Sequence, residues 1–145
     1  CHLDASKGMV AWARQNASLS GLSEAPIRWI VDDVMKFLER EKRRGRLYDG
    51  IVLDPPSYGR GARGEVFKID EQIVPLIGLC ADLLSDTAQF VHLSCHTPGY
   101  TPLVLSHLLT QALPEGNIVS GELTLEGEGL PVPMASYAKW VADAH

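Results

Sequence analysis

Residues 50–61 read GIVLDPPSYGRG: a short apolar run, an aspartate, two successive prolines, then an aromatic and an arginine among glycines. An uninterrupted apolar run is what a strand buried on both faces requires, which is the habit of parallel strands in α/β sheets. Each proline after Asp54 fixes φ and removes a backbone donor, so the chain leaves the strand on a rigid path with carbonyls free to accept. Tyr58 stands on the following Gly-rich loop, 57–65, as a stacking surface, with Arg60 and Arg63 nearby. Rigid acceptors beside an aromatic ring suit a planar, amine-bearing group such as a nucleobase. The plainer reading is a proline-rich turn with incidental charges.

Outward from this stretch, strand-like and helix-like runs alternate. Upstream, Ser6 can cap a helix with Met9, Trp12, Ala13 and Ala17 on its apolar face and Gly21 as the stop. Residues 27–31 (IRWIV) read as a strand. A helix then starts at Asp32–Asp33, buries Val34, Phe37 and Leu38, and ends in Lys42, Arg43 and Arg44 before Gly45, with charges that complement the helix dipole. The run KRRGR (42–46) suits a solvated helix end or a patch for RNA. Downstream, a helix carries Ile73, Leu76, Ile77, Cys80, Leu83 and Leu84, and residues 88–94 read as a strand. Thr101 and Pro102 open a further helix that Pro114 and Gly116 stop. Residues 118–125 and 135–141 then read as two strands with no helix between them. Successive βα units ending in a hairpin predict a mostly parallel α/β sheet with one antiparallel strand near the C-terminus.

A chain of 145 residues is one domain's worth, and 46% apolar with 21% charged residues is ordinary globular composition. No apolar run approaches the length of a membrane span. The net charge of −5 is unevenly placed, with 12 of the 13 Lys and Arg in residues 1–68. That balance argues against bulk non-specific nucleic-acid binding and leaves room for a local basic face. Three cysteines (Cys1, Cys80, Cys95) with no CxxC spacing fit a reducing cytosol, and neither they nor the five histidines show metal-ligand spacing. The expected location is cytoplasmic.

Ligands of open α/β sheets bind at the carboxyl ends of the strands. Those positions here are Asp4, Asp32–Asp33, Asp54 and Ser94–Cys95. A carboxylate at Asp4 can accept both hydroxyls of a ribose, or simply cap the next helix. Asp33 can accept an adenine amino group while the Val34 N–H donates to the ring, or again only start a helix.

The order HLDAS (2–6), IVDDVMKFL (30–38), DPPSYGRG (54–61) and LSCH (93–96) resembles the class I S-adenosylmethionine-dependent methyltransferases. Within them it is similar to the bacterial relatives of the large-subunit ribosomal RNA cytosine-5 enzymes. The likeness covers nearly the whole chain and is most specific in DPPSYGRG…GEVFK. It implies a Rossmann-like sheet of seven strands in the order 3-2-1-4-5-7-6, with S-adenosylmethionine as cofactor. It implies that Asp4, Ala5, Ser6, Asp32, Asp33, Val34 and Asp54 bind the cofactor. It implies further that Asp54, Pro55, Pro56 and Tyr58 meet the methyl acceptor, and that Cys95 stands where cytosine-5 enzymes place a nucleophile. Since adjacent strand residues point to opposite faces, His96 is not an obvious base. Closing the cofactor pocket is an alternative role for Cys95, and core packing is the expected role for Cys80. Arg60, Arg63 and Lys68 flank the acceptor loop and are the candidates for phosphate contacts with an RNA substrate.

The glycine-rich loop of that family, after its strand one, has no counterpart in these residues. Residues 1–145 are therefore expected to be one methyltransferase domain beginning at the end of strand two, without the first strand and helix. An upstream segment of the same protein is expected to complete it; otherwise strand two would re-pair with strand four. The competing functions are a non-catalytic Rossmann-like remnant that binds no cofactor, and methyl transfer to a nitrogen acceptor.

Overall fold

Ser6, Asp33 and Thr101 each accept a hydrogen bond from the backbone N–H three residues on: Met9 (3.3 Å), Lys36 (3.0 Å) and Val104 (3.3 Å). These N-caps set the starts of three of the four helices. A computed structural model describes residues 1–61 and 64–143, so Arg63 lies outside the described residues. In chain order the elements are β1 (His2–Asp4), α1 (Lys7–Leu19), β2 (Trp29–Val31), α2 (Val34–Arg43), β3 (Gly50–Leu53), β4 (Tyr58–Arg60) and β5 (Val66–Lys68). There follow α3 (Ile69–Ala81), β6 (Phe90–Cys95), α4 (Pro102–Ala112), β7 (Asn117–Leu125) and β8 (Val132–Val141).

The larger sheet runs β3-β6-β8-β7, with β3 and β6 parallel and β8 antiparallel to both β6 and β7. β1 and β2 form a separate parallel pair. The larger sheet's order matches the 4-5-7-6 part of the expected arrangement, and the β2-β1 pair matches its 3-2 part. β1 and β3 stay in separate sheets and do not re-pair.

One core joins the two sheets. Val91, Leu93, Ala138 and Trp140 are buried under Ile73, Leu76, Ile77, Leu105 and Leu109, while Phe37 and Leu38 bring α2 into the same cluster. Leu3 and Ile30 of the smaller sheet pack against its margin. Cys80 is fully buried, and burial pushes its thiol up to about 12, as a core cysteine requires.

Three expectations need correction. β3 is not buried on both faces: Val52 is 68% exposed, and among the described residues the strand pairs with β6 alone. α1 buries Val10 alone, leaving Met9 and Trp12 exposed, since only the short β1–β2 pair lies beneath it. The Gly-rich stretch is not an open loop. Tyr58–Arg60 pairs antiparallel with Val66–Lys68 as a hairpin, with Gly64 at φ +88° serving the turn.

Candidate active site

The carboxylates expected at the strand ends fall into two groups, one on each sheet. In the smaller sheet the register pairs Asp4 with Val31, and the Asp32 N–H donates to the Asp4 carbonyl (3.1 Å). Asp4 Oδ1 accepts from the Ser6 N–H (2.6 Å), which leads the chain into α1. Asp32 accepts from the Asp33 N–H (2.9 Å) and is paired with Arg40. Asp33 caps α2 through Oδ1, and Val34 is its first helical residue. Each of these carboxylates thus has a local task, and Asp4, Ala5, Asp33 and Val34 remain half-buried beside one another at the end of two adjacent parallel strands. Backbone N–H groups at the start of α1 and α2 give that rim a positive character.

The second group surrounds Asp54, just past β3. Parallel pairing of Leu53 with Leu93 puts Ser94 and Cys95 next to it. The Ser94 hydroxyl donates to Asp54 Oδ1 (2.8 Å), which points the carboxylate along the sheet edge. Pro55 is half-buried and Pro56 exposed. Their rigid path leads to Ser57, whose hydroxyl meets that of Thr97 (2.6 Å) and ties the loop to the end of β6. Cys95 is 2% exposed, and its Sγ accepts the Thr97 N–H (3.4 Å). In this arrangement its sulfur is covered.

Sequence reasoning set His96 aside, and the structure brings it into the site. β6 ends at Cys95, so the alternation of the pleat no longer governs the next residue. His96 Nε2 lies 3.6 Å from Asp54 Oδ1, and Nδ1 lies 2.9 Å from the Met134 carbonyl of β8. No sequence signal links Met134 to His96; the antiparallel β6–β8 register does. Between the 96–102 segment and the rim of β7 and β8 lies a cleft of about 310 Å³, lined in part by Cys95, His96, Tyr100, Glu122, Met134 and Ser136. The Tyr100 hydroxyl donates to Asp70 (2.7 Å), and burial, with that bond and the negative charge of Asp70, pushes it up to about 12.

The basic residues are less free than their sequence suggests. Arg60 Nε donates to the Tyr58 hydroxyl (2.7 Å) with its guanidinium 5.8 Å from the ring centroid. Lys68 pairs with Glu71 (2.8 Å). Within 42–46, Lys42 pairs with Asp82 (2.6 Å) and Arg44 with Glu41 (3.4 Å), which fits a solvated helix end. Lys42–Asp82 and Lys68–Glu71 are pairs between exposed side chains, whereas Arg44 reaches the buried Glu41.

The whole fold has a close counterpart. A S-adenosylmethionine-dependent methyltransferase of Agrobacterium tumefaciens superposes on 98% of this chain with a TM-score of 0.91 and 34% identity. The chain is similar to the class I S-adenosylmethionine-dependent methyltransferases and shares their fold. It covers 48% of that methyltransferase. A protein described as a candidate methyltransferase, solved with S-adenosylhomocysteine (SAH) bound, matches the fold at a TM-score of 0.73 and 20% identity, over 96% of this chain and 38% of that one. Among curated methyltransferases, the ribosomal RNA large subunit methyltransferase K/L of Syntrophotalea carbinolica is 36% identical over 84 residues, 57% of this chain and 11% of that protein. The ribosomal RNA large subunit methyltransferase I of Aeromonas salmonicida is 40% identical over 57 residues, 39% of this chain and 14% of that protein. The chain thus spans a small part of these curated methyltransferases. No protein-family model matches it.

Proposed function

We propose that the protein of which these residues form part transfers a methyl group from S-adenosylmethionine to a base of large-subunit ribosomal RNA, in the cytoplasm. The observation that carries this reading is the Asp54–Pro55–Pro56 turn, anchored by Ser94 and Ser57 beside an open cleft, in a chain 34% identical to a S-adenosylmethionine-dependent methyltransferase. The names of the two curated relatives support the choice of RNA.

In this reading Asp4, Ala5 and Ser6 hold the ribose, and Asp32, Asp33 and Val34 hold the adenine. Asp54 stands between the methionine end and the acceptor, and Tyr58 stacks on the base. Arg60 and Lys68 exchange their present partners for phosphates, with Arg63 as a third cation in sequence. The cofactor supplies an electrophilic sulfonium methyl. The chain contributes position and orientation, keeping acceptor and methyl within about 3–3.5 Å and in line.

The reading includes a segment upstream of residue 1 that supplies a strand between β1 and β3, parallel to both. The unpartnered edge of β3 and the exposure of Val52 support it. By the right-handed crossover rule, its helix would lie on the side of α1. Calorimetric titration with SAH tests both parts. Binding by the longer protein and none by residues 1–145 is the expected result; no binding by either supports a non-catalytic remnant.

A second reading is transfer to a nitrogen acceptor. Burial of Cys95 at 2% exposure favours it, because a nucleophile must reach C6 of a cytosine. Cys95→Ala separates the two: methyl transfer that survives this change excludes the cytosine-5 route.

A further inference from the structure

We propose that His96 Nε2 is the proton acceptor of the methyl-transfer step. The inference rests on the methyltransferase reading above and adds a residue role to it. A carbonyl oxygen can only accept, so the 2.9 Å contact from Nδ1 to the Met134 carbonyl places the proton on Nδ1. In a neutral imidazole with its proton on Nδ1, Nε2 carries the lone pair, on a side chain that is 57% exposed and lines the cleft. Asp54 Oδ1, 3.6 Å away, becomes the ion-pair partner of the imidazolium once Nε2 is protonated. The Ser94 hydroxyl already holds that carboxylate in place. The other titratable groups facing the cleft are Cys95, Tyr100 and Glu122. Cys95 is buried, and the Tyr100 proton is committed to Asp70. Glu122 stands on β7 across the cleft, and Asp54 stands beside the ring.

The step balances for either acceptor. A nitrogen lone pair attacks the sulfonium methyl, the carbon–sulfur pair passes to sulfur, and the N–H proton goes to Nε2. By the cytosine route the Cys95 thiolate has first added to C6, and C5 attacks the methyl. The C5–H proton then goes to Nε2 as its electron pair re-forms the double bond and expels the thiolate.

Two measurements on the protein as the cell makes it test the proposal. Long-range proton–nitrogen NMR of histidine-labelled protein reads the tautomer without any need for activity. A protonated Nδ1 with an unprotonated Nε2 is expected, and the opposite tautomer overturns the proposal. His96→Gln is then compared with the unsubstituted enzyme, using radiolabelled S-adenosylmethionine and unmodified large-subunit ribosomal RNA. The variant is expected to bind SAH as tightly as the parent, to transfer methyl about 10²–10⁴-fold more slowly, and to lose the rise of rate with pH. Equal rates and equal pH profiles overturn the role of His96 and leave the methyltransferase reading standing. No transfer and no SAH binding by the unsubstituted protein overturns that reading itself.

Discussion

At the scale of single residues, Glu41 is a buried carboxylate held by three partners outside the site. It is 1% exposed and accepts from Arg28 (3.2 Å), Arg44 (3.4 Å) and Tyr48 (2.6 Å). Burial pushes its carboxyl up, but the bonds from Tyr48, Arg28 and Arg44 outweigh burial and hold it below the ordinary value. A folded pKa below the unfolded one means the unfolded chain takes up the proton first. The stabilisation is therefore complete above the unfolded value, about 4.3, and is lost as pH falls through the folded value. Glu41→Gln should lower stability in urea at pH 7 and flatten the pH dependence below pH about 4.3. Arg28 and Arg44 are 47% and 61% exposed and remain solvated, so the loss is expected to be about 1–3 kcal/mol. Asp54 is the matching residue at the site, touching both Ser94 and His96. Asp54→Ala should cut methyl transfer about 100-fold or more through lost positioning, measured by radiolabel incorporation, with melting temperature little changed because the carboxylate is 58% exposed.

At the scale of elements, the β7–β8 hairpin depends on one close approach. A Cβ added at Gly116 would lie 2.3 Å from Trp140 Nε1 and 2.8 Å from the Val141 carbonyl. The same indole nitrogen donates to the Pro114 carbonyl (3.1 Å), and Trp140 is 2% exposed. Gly116→Ala must therefore move a buried ring or the backbone, and about 1–3 kcal/mol of destabilisation is expected in chemical denaturation. The hairpin also carries the Met134 carbonyl that orients His96. A weakened hairpin should lower methyl transfer as well as stability, with SAH affinity unchanged. The helices were legible because their caps are local: Ser6, Asp33 and Thr101 needed no tertiary information. Three-residue hairpin strands around Gly61 and Gly64 were not, because their pairing depends on a turn that glycine permits and no apolar alternation announces.

For the whole molecule, the separation of the β1–β2 pair from the four-stranded sheet governs behaviour. β1 and β2 hold three residues each and, among the described strands, pair only with one another, while β6 is flanked by β3 and β8. Local opening follows contact density and backbone pairing, so amides of Leu3 and Ile30 should exchange with deuterium far faster than those of Val91 and Leu93. Cofactor bound across the two groups of carboxylates would tie the sheets together. Adding SAH to the longer protein should slow exchange in β1 and β2 selectively, which peptide-level hydrogen exchange can read.

The sequence by itself determined the alternation of strands and helices, the caps, the strand-end positions of Asp4, Asp33 and Asp54, and the core role of Cys80. These follow from local conformational preference and from the period of apolar residues, which act over a few neighbours. Tertiary structure alone decided that β3 has an open edge, that Cys95 is covered, and that His96 stands between Asp54 and the Met134 carbonyl. Those facts depend on pairing between segments 38–42 residues apart in sequence, as in Ser94 with Asp54 and His96 with Asp54 and Met134. Such pairing is set by how whole strands find their register and by which edges find a partner. A histidine one residue past a strand end carries no sign of either.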